Sequence, residues 1–272
     1  MTKQPKALII RAAGTNCDNE TKYACQKAGI EGTILYVGRL LETPLILHNY
    51  HLFIIPGGFT YGDDLGAGKI LANELRFILY DQLNKFISDG KLILGICNGF
   101  QVLVKAGLLN YPDKTTSKMD EQSITIISND SCRFEDRWVY LKVCSQKSEF
   151  IRVEEVFELP IAHGEGKFFV SNKGVLDGLE RNEQIILKYV NSRGEEDGYP
   201  FNPNGSMGSI AGVSDQTGRI LGLMPHPERY VDPLQHPHWN RKVNKGIKLE
   251  DIKPDGLKLF ENATKYIKNK LL

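Results

Sequence analysis

Cys97 stands in Gly95-Ile96-Cys97-Asn98-Gly99, directly after the apolar run Leu92-Ile93-Leu94. The spacing G-x-C-x-G puts a thiol at the apex of a strand-to-helix turn, the cysteine form of a nucleophile elbow. Glycines flank such a turn because two backbones meet there and the nucleophile's own dihedrals are strained. The sulfur then stands above the sheet. The helix expected from about Gly99 to Lys105 aims its first amides at the sulfur, which favours the reactive thiolate. A lone cysteine after an apolar run reads as a buried core residue. The flanking glycines turn the reading toward chemistry.

A thiolate needs a base beside it and a group that orients the base. Leu221-Gly222-Leu223-Met224 reads as another buried strand, and Pro225-His226-Pro227-Glu228 follows at its end. Two apart on an extended segment, His226 and Glu228 point to the same side. Glu228 can then hold one imidazole nitrogen while the other faces Cys97. A plain surface turn is the alternative, because the segment is rich in turn formers. Attack of a thiolate on a carbonyl carbon creates an oxyanion that requires preorganised donors. The Asn98 amide, next to the nucleophile, is one candidate. The other is Pro56-Gly57-Gly58, where glycine allows a close backbone approach or simply makes a turn. Gln101 lies one helical turn past Cys97, so its amide can face the same pocket, with a plain surface glutamine as the alternative. His163 and Glu165 alternate about Gly164 on an expected strand end and so share a face. A carboxylate suits an ammonium group, so Glu165 is a substrate-pocket candidate, with a partner-subunit contact as the alternative.

The elements that must hold these groups alternate in type. Lys6–Arg11, Thr33–Val37, Leu52–Ile55 and Lys91–Ile96 read as short buried strands. Helices are expected from Asp18 to Lys27 and, by apolar spacing, from Ile70 to Ser88. Alternation of this kind predicts an α/β fold, a mostly parallel sheet with helices on both faces. The character changes near Asn110. From Gln122 to Val170 the segments read as strands without intervening helices, and Lys188–Asn191 and Ser209–Val213 continue the pattern, so antiparallel pairing is expected. The stretch from Asn191 to Gly208 reads as a long surface loop, and Pro254–Leu272 as a closing helix.

The 272 residues, 41% hydrophobic and 25% charged, suffice for one well-packed domain. A net charge of +1 gives no general case for nucleic acid or an anionic membrane. Five cysteines without a C-x-x-C spacing indicate neither a zinc site nor a disulfide framework, and no metal site is expected. The apolar run Ala7–Ile10 is too short for a signal peptide or a membrane span, which points to a reducing cytoplasm. Met1 shortly before the first strand is the expectation for a separate chain. No G-x-x-x-x-G-K-[ST] occurs, so ATP chemistry is expected elsewhere.

The elbow segment Gly95–Gln101 together with Met224-Pro225-His226-Pro227-Glu228-Arg229 resembles the class I glutamine amidotransferases. Four further segments narrow the resemblance: Gly14-Thr15-Asn16-Cys17-Asp18, Pro56–Asp63, Leu159–Gly166 and Asn202–Ser206. Together they are similar to the glutaminase subunits of phosphoribosylformylglycinamidine synthase, from about Leu8 to Arg229. The resemblance implies the flavodoxin-like amidotransferase fold with an antiparallel β insertion. The chain then reads as a single domain over 1–272 with a C-terminal extension from about 230 to 272. It implies Cys97 as nucleophile, His226 as base and Glu228 as its orienting acid. Gly57, Gly58 and Asn98 would form the oxyanion hole, and Gln101, His163 and Glu165 would bind glutamine. Cys17 would hold its loop near Cys97. No cofactor is expected on this chain. ATP and Mg2+ belong to a synthetase subunit that receives the ammonia, and a small accessory subunit belongs to the same expectation. Gly66 and Lys69 are closer to the large single-chain form of the synthase. Two alternatives stay open at this level: an amidotransferase or cysteine hydrolase of another pathway, and a non-catalytic assembly subunit.

Overall fold

A computed structural model of the chain describes residues 4–109, 123–152 and 156–272. Its first half repeats strand, helix, strand: β1 (Lys6–Arg11), α1 (Asp18–Lys27), β2 (Glu31–Tyr36), α2 (Val37–Glu42) and β3 (Leu52–Ile55). Then come α3 (Lys69–Phe77), α4 (Tyr80–Ser88), β4 (Leu92–Ile96) and α5 (Asn98–Lys105). The second half is richer in strands: β5 (Ile124–Ser128), β6 (Glu135–Val143), β7 (Phe157–His163), β8 (Glu165–Val170) and β9 (Ile185–Val190). Helix α6 (Lys173–Arg181) falls between β8 and β9, and β10 (Ile210–Ser214), β11 (Ile220–Leu223), α7 (Trp239–Asn244) and α8 (Asp255–Lys270) complete the chain.

One sheet of nine strands runs in the order β2-β1-β3-β4-β11-β10-β9-β6-β7. The pairs from β2 to β11 are parallel and those from β11 to β7 antiparallel. Only β10 and β6 therefore run against the other strands. Every residue of β3 and β4 is buried, the pattern of strands covered on both faces. Helices α1 and α8 pack together on one side. The right-handed crossovers from β3 to β4 and from β4 to β11 put α3, α4 and α5 on the other. At the far edge, β7 alternates buried and half-buried residues. Pro160, which has no N–H for a ladder, is tolerated there because β7 is an edge strand. A single buried apolar cluster runs from Ala7 to Ile267, so α8 shares the core of the sheet.

Several expectations change in detail. The expected helix over 70–88 is two helices. The break at Ile78 turns the chain so that Leu79, Leu83 and Phe86 all reach the core while Phe77 and Ile78 stay at the surface. Helix α6 interrupts the run of strands. Its signals are Asn172, whose side chain caps the Val175 N–H at 3.1 Å, and the spacing of Val175 and Leu179. The expected antiparallel pairing is present, but most of it extends the main sheet. Among the described residues, only β5 and β8 form a separate ribbon. The loop expected at the surface over 191–208 is exposed only in its first part. Asn204 donates to the Gly166 carbonyl at 2.8 Å, and Ser206 accepts from the Phe168 N–H at 3.0 Å. Both side chains are buried, because they satisfy backbone groups of β8 that have no strand partner there. The change of character placed near Asn110, and its resumption at Gln122, lie outside the described residues.

Candidate active site

The elbow is set by three close approaches. Cys97 joins β4 to α5 with φ 51° and ψ −106°, in the left-handed region that a non-glycine residue rarely adopts. A Cβ on Gly99 would stand 1.8 Å from the Ile55 carbonyl oxygen, and one on Gly95 would stand 2.6 Å from the Gly99 oxygen. Glycine at both positions lets β3, β4 and α5 meet. The Cys97 N–H donates to the Leu223 carbonyl at 2.8 Å. The nucleophile candidate is thus pinned to β11, the strand that leads to His226. Cys97 is 5% exposed, and its thiol reaches the Ala162 carbonyl at 3.7 Å.

Beyond β11 the chain turns tightly. The expectation of an extended His226–Glu228 segment is replaced by a single 3-10 turn over Pro227–Arg229. Proline at the first position favours that turn, and the turn itself folds Glu228 back onto His226. The His226 N–H is held by the Pro160 carbonyl of β7 at 2.8 Å. Nδ1 of His226 and Oε1 of Glu228 are 2.6 Å apart, with both side chains almost wholly buried. Burial opposes the imidazolium, but the Glu228 carboxylate and the neighbouring Cys97 sulfur outweigh it. The His226 pKa therefore lies well above its ordinary value. Nε2 has no hydrogen-bond partner of normal geometry among the described residues. A carboxylate on one nitrogen and a thiol near the ring is the arrangement that makes a thiolate and then moves its proton.

The loop over 57–60 is braced from β1. Phe59 N–H donates to the Gly14 carbonyl at 3.0 Å, and Cys17 N–H to the Gly57 carbonyl at 3.2 Å. Gly58 has φ +149°, and a Cβ there would meet the Gly14 oxygen at 2.7 Å. Asn98 opens α5, so its N–H belongs to the first-turn amides that lack an intrahelical acceptor. Gly57 lies against His226: a Cβ would stand 2.8 Å from His226 Cε1. Gly57→Ala is therefore expected to displace the imidazole and lower kcat of the chemistry at this site by about ten- to a hundredfold, with a melting temperature close to wild type. Steady-state kinetics beside a thermal melt check this, and unchanged kcat contradicts it.

A second polar group adjoins the first. The Asn98 side-chain oxygen accepts from the Thr60 N–H at 3.2 Å and hydroxyl at 2.7 Å. Its amide donates to Gln101 Oε1 at 2.9 Å, and Gln101 Nε2 donates to the Glu165 carbonyl at 2.6 Å. Both ends of the Gln101 amide are thus engaged by the protein. The Glu165 carboxylate lies near Asp63 and Lys105. The shared strand face expected for His163 and Glu165 is absent. β7 ends at His163, and β8 opens at Glu165 in the other sheet, so the two residues do not belong to one strand face. His163 is buried over Gly166 and pairs through Nδ1 with Asn129 Oδ1 at 3.2 Å. The sequence reading missed Asn129, which pairs with His163, and Tyr189, whose phenol lies near Cys97. Each is polar and isolated in the sequence, and only the tertiary fold brings it near the site.

Burial, and then the nearby His226, lower the His163 pKa to about 3. An unfolded histidine takes its proton near pH 6.5, so the unfolded state binds more protons below that value. Stability from this group is complete above about pH 6.5 and is lost as pH falls toward about 3. His163→Asn keeps a donor near Nδ1 and removes the titration. Its melting temperature is expected to fall less steeply than wild type between those values. Parallel curves contradict this.

Residues 4–267 match the family described as the CobB/CobQ-like glutamine amidotransferase domain. The chain belongs to that family. Within it, the chain is 46% identical over 263 residues to a protein of Dehalococcoides mccartyi named phosphoribosylformylglycinamidine synthase subunit PurQ. That match covers 96% of this chain and 97% of the relative. A Methanococcus maripaludis protein of the same name is 41% identical over 268 residues, covering 96% of this chain and 97% of the relative. Among solved structures, the chain superposes on one titled PurLQS from Thermotoga maritima with a TM-score of 0.71 and 30% identity. It covers 97% of this chain and 100% of that one. The family match extends past Arg229 and takes in most of α8. Among the described residues, no helix is long and apolar enough to cross a membrane.

Proposed function

We propose that this chain is the glutaminase subunit of a phosphoribosylformylglycinamidine synthase, acting as one domain over 1–272. The Cys97 thiolate attacks the side-chain carbonyl carbon of glutamine. The oxyanion is received by the amides of Asn98 and the Gly57-Gly58 loop. As the C–N bond breaks, the His226 imidazolium gives its proton to the departing ammonia. Neutral His226 then takes a proton from water, which attacks the thioester carbonyl, releases glutamate and restores the sulfur. Glu228 orients the ring and stabilises its charged form. Glu165 receives the substrate's α-ammonium, and Gln101 and His163 hold the wall that carries it.

The observation that carries this reading is the buried His226–Glu228 pair at 2.6 Å beside the strained Cys97 elbow, within a glutamine amidotransferase family. The pathway rests on the relatives named as subunits of that synthase. The ammonia passes to a synthetase subunit that holds ATP and Mg2+ and converts formylglycinamide ribonucleotide to the amidine. A small accessory subunit joins the same assembly, in the cytoplasm. Glutamine labelled with 15N at the side-chain amide, supplied to this chain together with the synthetase of its own cell, tests the proposal. The label is expected in the amidine product. Unlabelled product, or none without added ammonia, overturns it.

A further inference from the structure

Cys17 has no part in the steps above, yet its sulfur rests against the groups that perform them. It lies within 4.8 Å of a ring nitrogen of His226 and a carboxylate oxygen of Glu228, and it is buried. The missing side chain of Gly57 makes this possible. A Cβ there would stand 2.8 Å from His226 Cε1 and 3.1 Å from the Cys17 sulfur. The sulfur is itself held from two sides. Its S–H donates to Asn16 Oδ1 at 3.1 Å, and Arg229 Nη2 donates to the sulfur at 3.2 Å. Arg229 is fixed in turn by Glu20 of α1, Nε to Oε2 at 2.9 Å. Burial raises the Cys17 pKa against the opposing pull of His226 and Arg229, so the group remains a thiol and does not compete with Cys97. The three donors Cys17, His226 and Glu228 also resemble a soft-metal set. The Arg229 guanidinium on the sulfur opposes a cation there.

What remains for the thiol is mechanical. The His226 ring is held at Nδ1 by Glu228, and Nε2 has no partner of normal geometry among the described residues, so the ring can still rock about that contact. We propose that Cys17 is a positioning residue: held by Asn16 and Arg229, its sulfur closes the Cε1 side of the imidazole and keeps Nε2 directed at Cys97. The assignment rests on the reading of Cys97, His226 and Glu228 given above. A displacement of about 1 Å between reacting groups costs up to about a hundredfold in rate. A space the size of a sulfur beside the ring allows such a displacement.

The test compares wild type, Cys17→Ala and Cys17→Ser in complex with the synthetase, with Cys97→Ala as control. Cys17→Ala is expected to lower glutaminase kcat about tenfold or more while KM for glutamine changes less than twofold. It should also shift the pH dependence of Cys97 alkylation by iodoacetamide, followed by mass spectrometry on the Cys97 peptide of the native protein. Cys17→Ser keeps a donor and an acceptor and should recover most of kcat. Wild-type kcat in Cys17→Ala overturns the proposal. So does an equal loss in both variants that tracks a lowered melting temperature, which is the signature of a packing role alone. Should Cys17→Ala not fold, Cys17→Val fills the space without a hydrogen-bonding atom. Because it restores bulk beside the ring, it is expected to keep most of kcat, and a tenfold or larger loss at a wild-type melting temperature overturns the proposal. Glutamine hydrolysis surviving in Cys97→Ala would refute the triad itself. An inactive Cys97→Ala beside a fully active Cys17→Ala would refute only the role of Cys17.

Discussion

Cys97→Ala is expected to lower glutamine hydrolysis by at least about a thousandfold, while the assembled complex still makes product from free ammonia. The loss is large because no second sulfur can stand in. Cys17 keeps its proton and is tied to Asn16 and Arg229. Ammonia-dependent synthesis should survive because the chain has no G-x-x-x-x-G-K-[ST] sequence and the ATP step is assigned to the partner. Alanine fits the site without added bulk, since the elbow already accepts a Cβ at φ 51°. The measurement is glutamate release and amidine synthesis by wild-type and mutant complexes, with glutamine or ammonium chloride as nitrogen donor. Substantial glutamine-driven synthesis by the mutant contradicts the assignment. Loss of the ammonia-driven reaction as well would show that the mutation had disrupted assembly.

Glu228→Gln is expected to reduce turnover by about one to three powers of ten. The carboxylate faces Nδ1 of His226 at 2.6 Å, with both side chains buried. It is the leading favourable influence on the imidazolium, set against the burial that opposes it. Glutamine keeps the size and one acceptor oxygen but removes the charge, and it leaves an amide group buried beside the ring. The His226 pKa should fall toward its ordinary value or below. Less imidazolium is then available to protonate the departing ammonia. KM should change little, because Glu228 faces the ring and not the substrate pocket. Steady-state kinetics of the two complexes separate the effects. Near-normal kcat would mean that another acid supports His226.

Much of the fold was legible because its determinants are local. The runs at Lys6–Arg11 and Leu52–Ile55 are strands to the residue, since a short apolar segment between turn formers has few other ways to be buried. The elbow was legible for the same reason: its two glycines record contacts with Ile55 and with each other. The His226–Glu228 pairing was expected on an extended segment and arises in a turn. Proximity at a spacing of two does not distinguish these backbones. Helix α6 was hidden by Gly174 and Gly178, which weaken a helical pattern, and the split between α3 and α4 by an apolar pattern that continues across the break. Gln101 and His163 show where sequence reasoning runs out. Spacing put Gln101 near the nucleophile, but only the fold shows its amide engaged by Asn98 and Glu165. His163 carries a reactive side-chain type, and its surroundings at Asn129 and Gly166 make it a buried neutral group.

The central claim is that glutamine nitrogen leaves through a covalent intermediate on Cys97. The most direct measurement is rapid acid quenching of the complex during turnover with 13C-labelled glutamine, followed by peptide mass spectrometry. A labelled glutamyl thioester is expected on the peptide carrying Cys97. It should build up to higher occupancy in Glu228→Gln if hydrolysis of the thioester is slowed more than its formation, and it should be absent from Cys97→Ala. Labelled glutamate formed at the wild-type rate with no adduct on Cys97, or with the adduct on Cys17, would contradict the account.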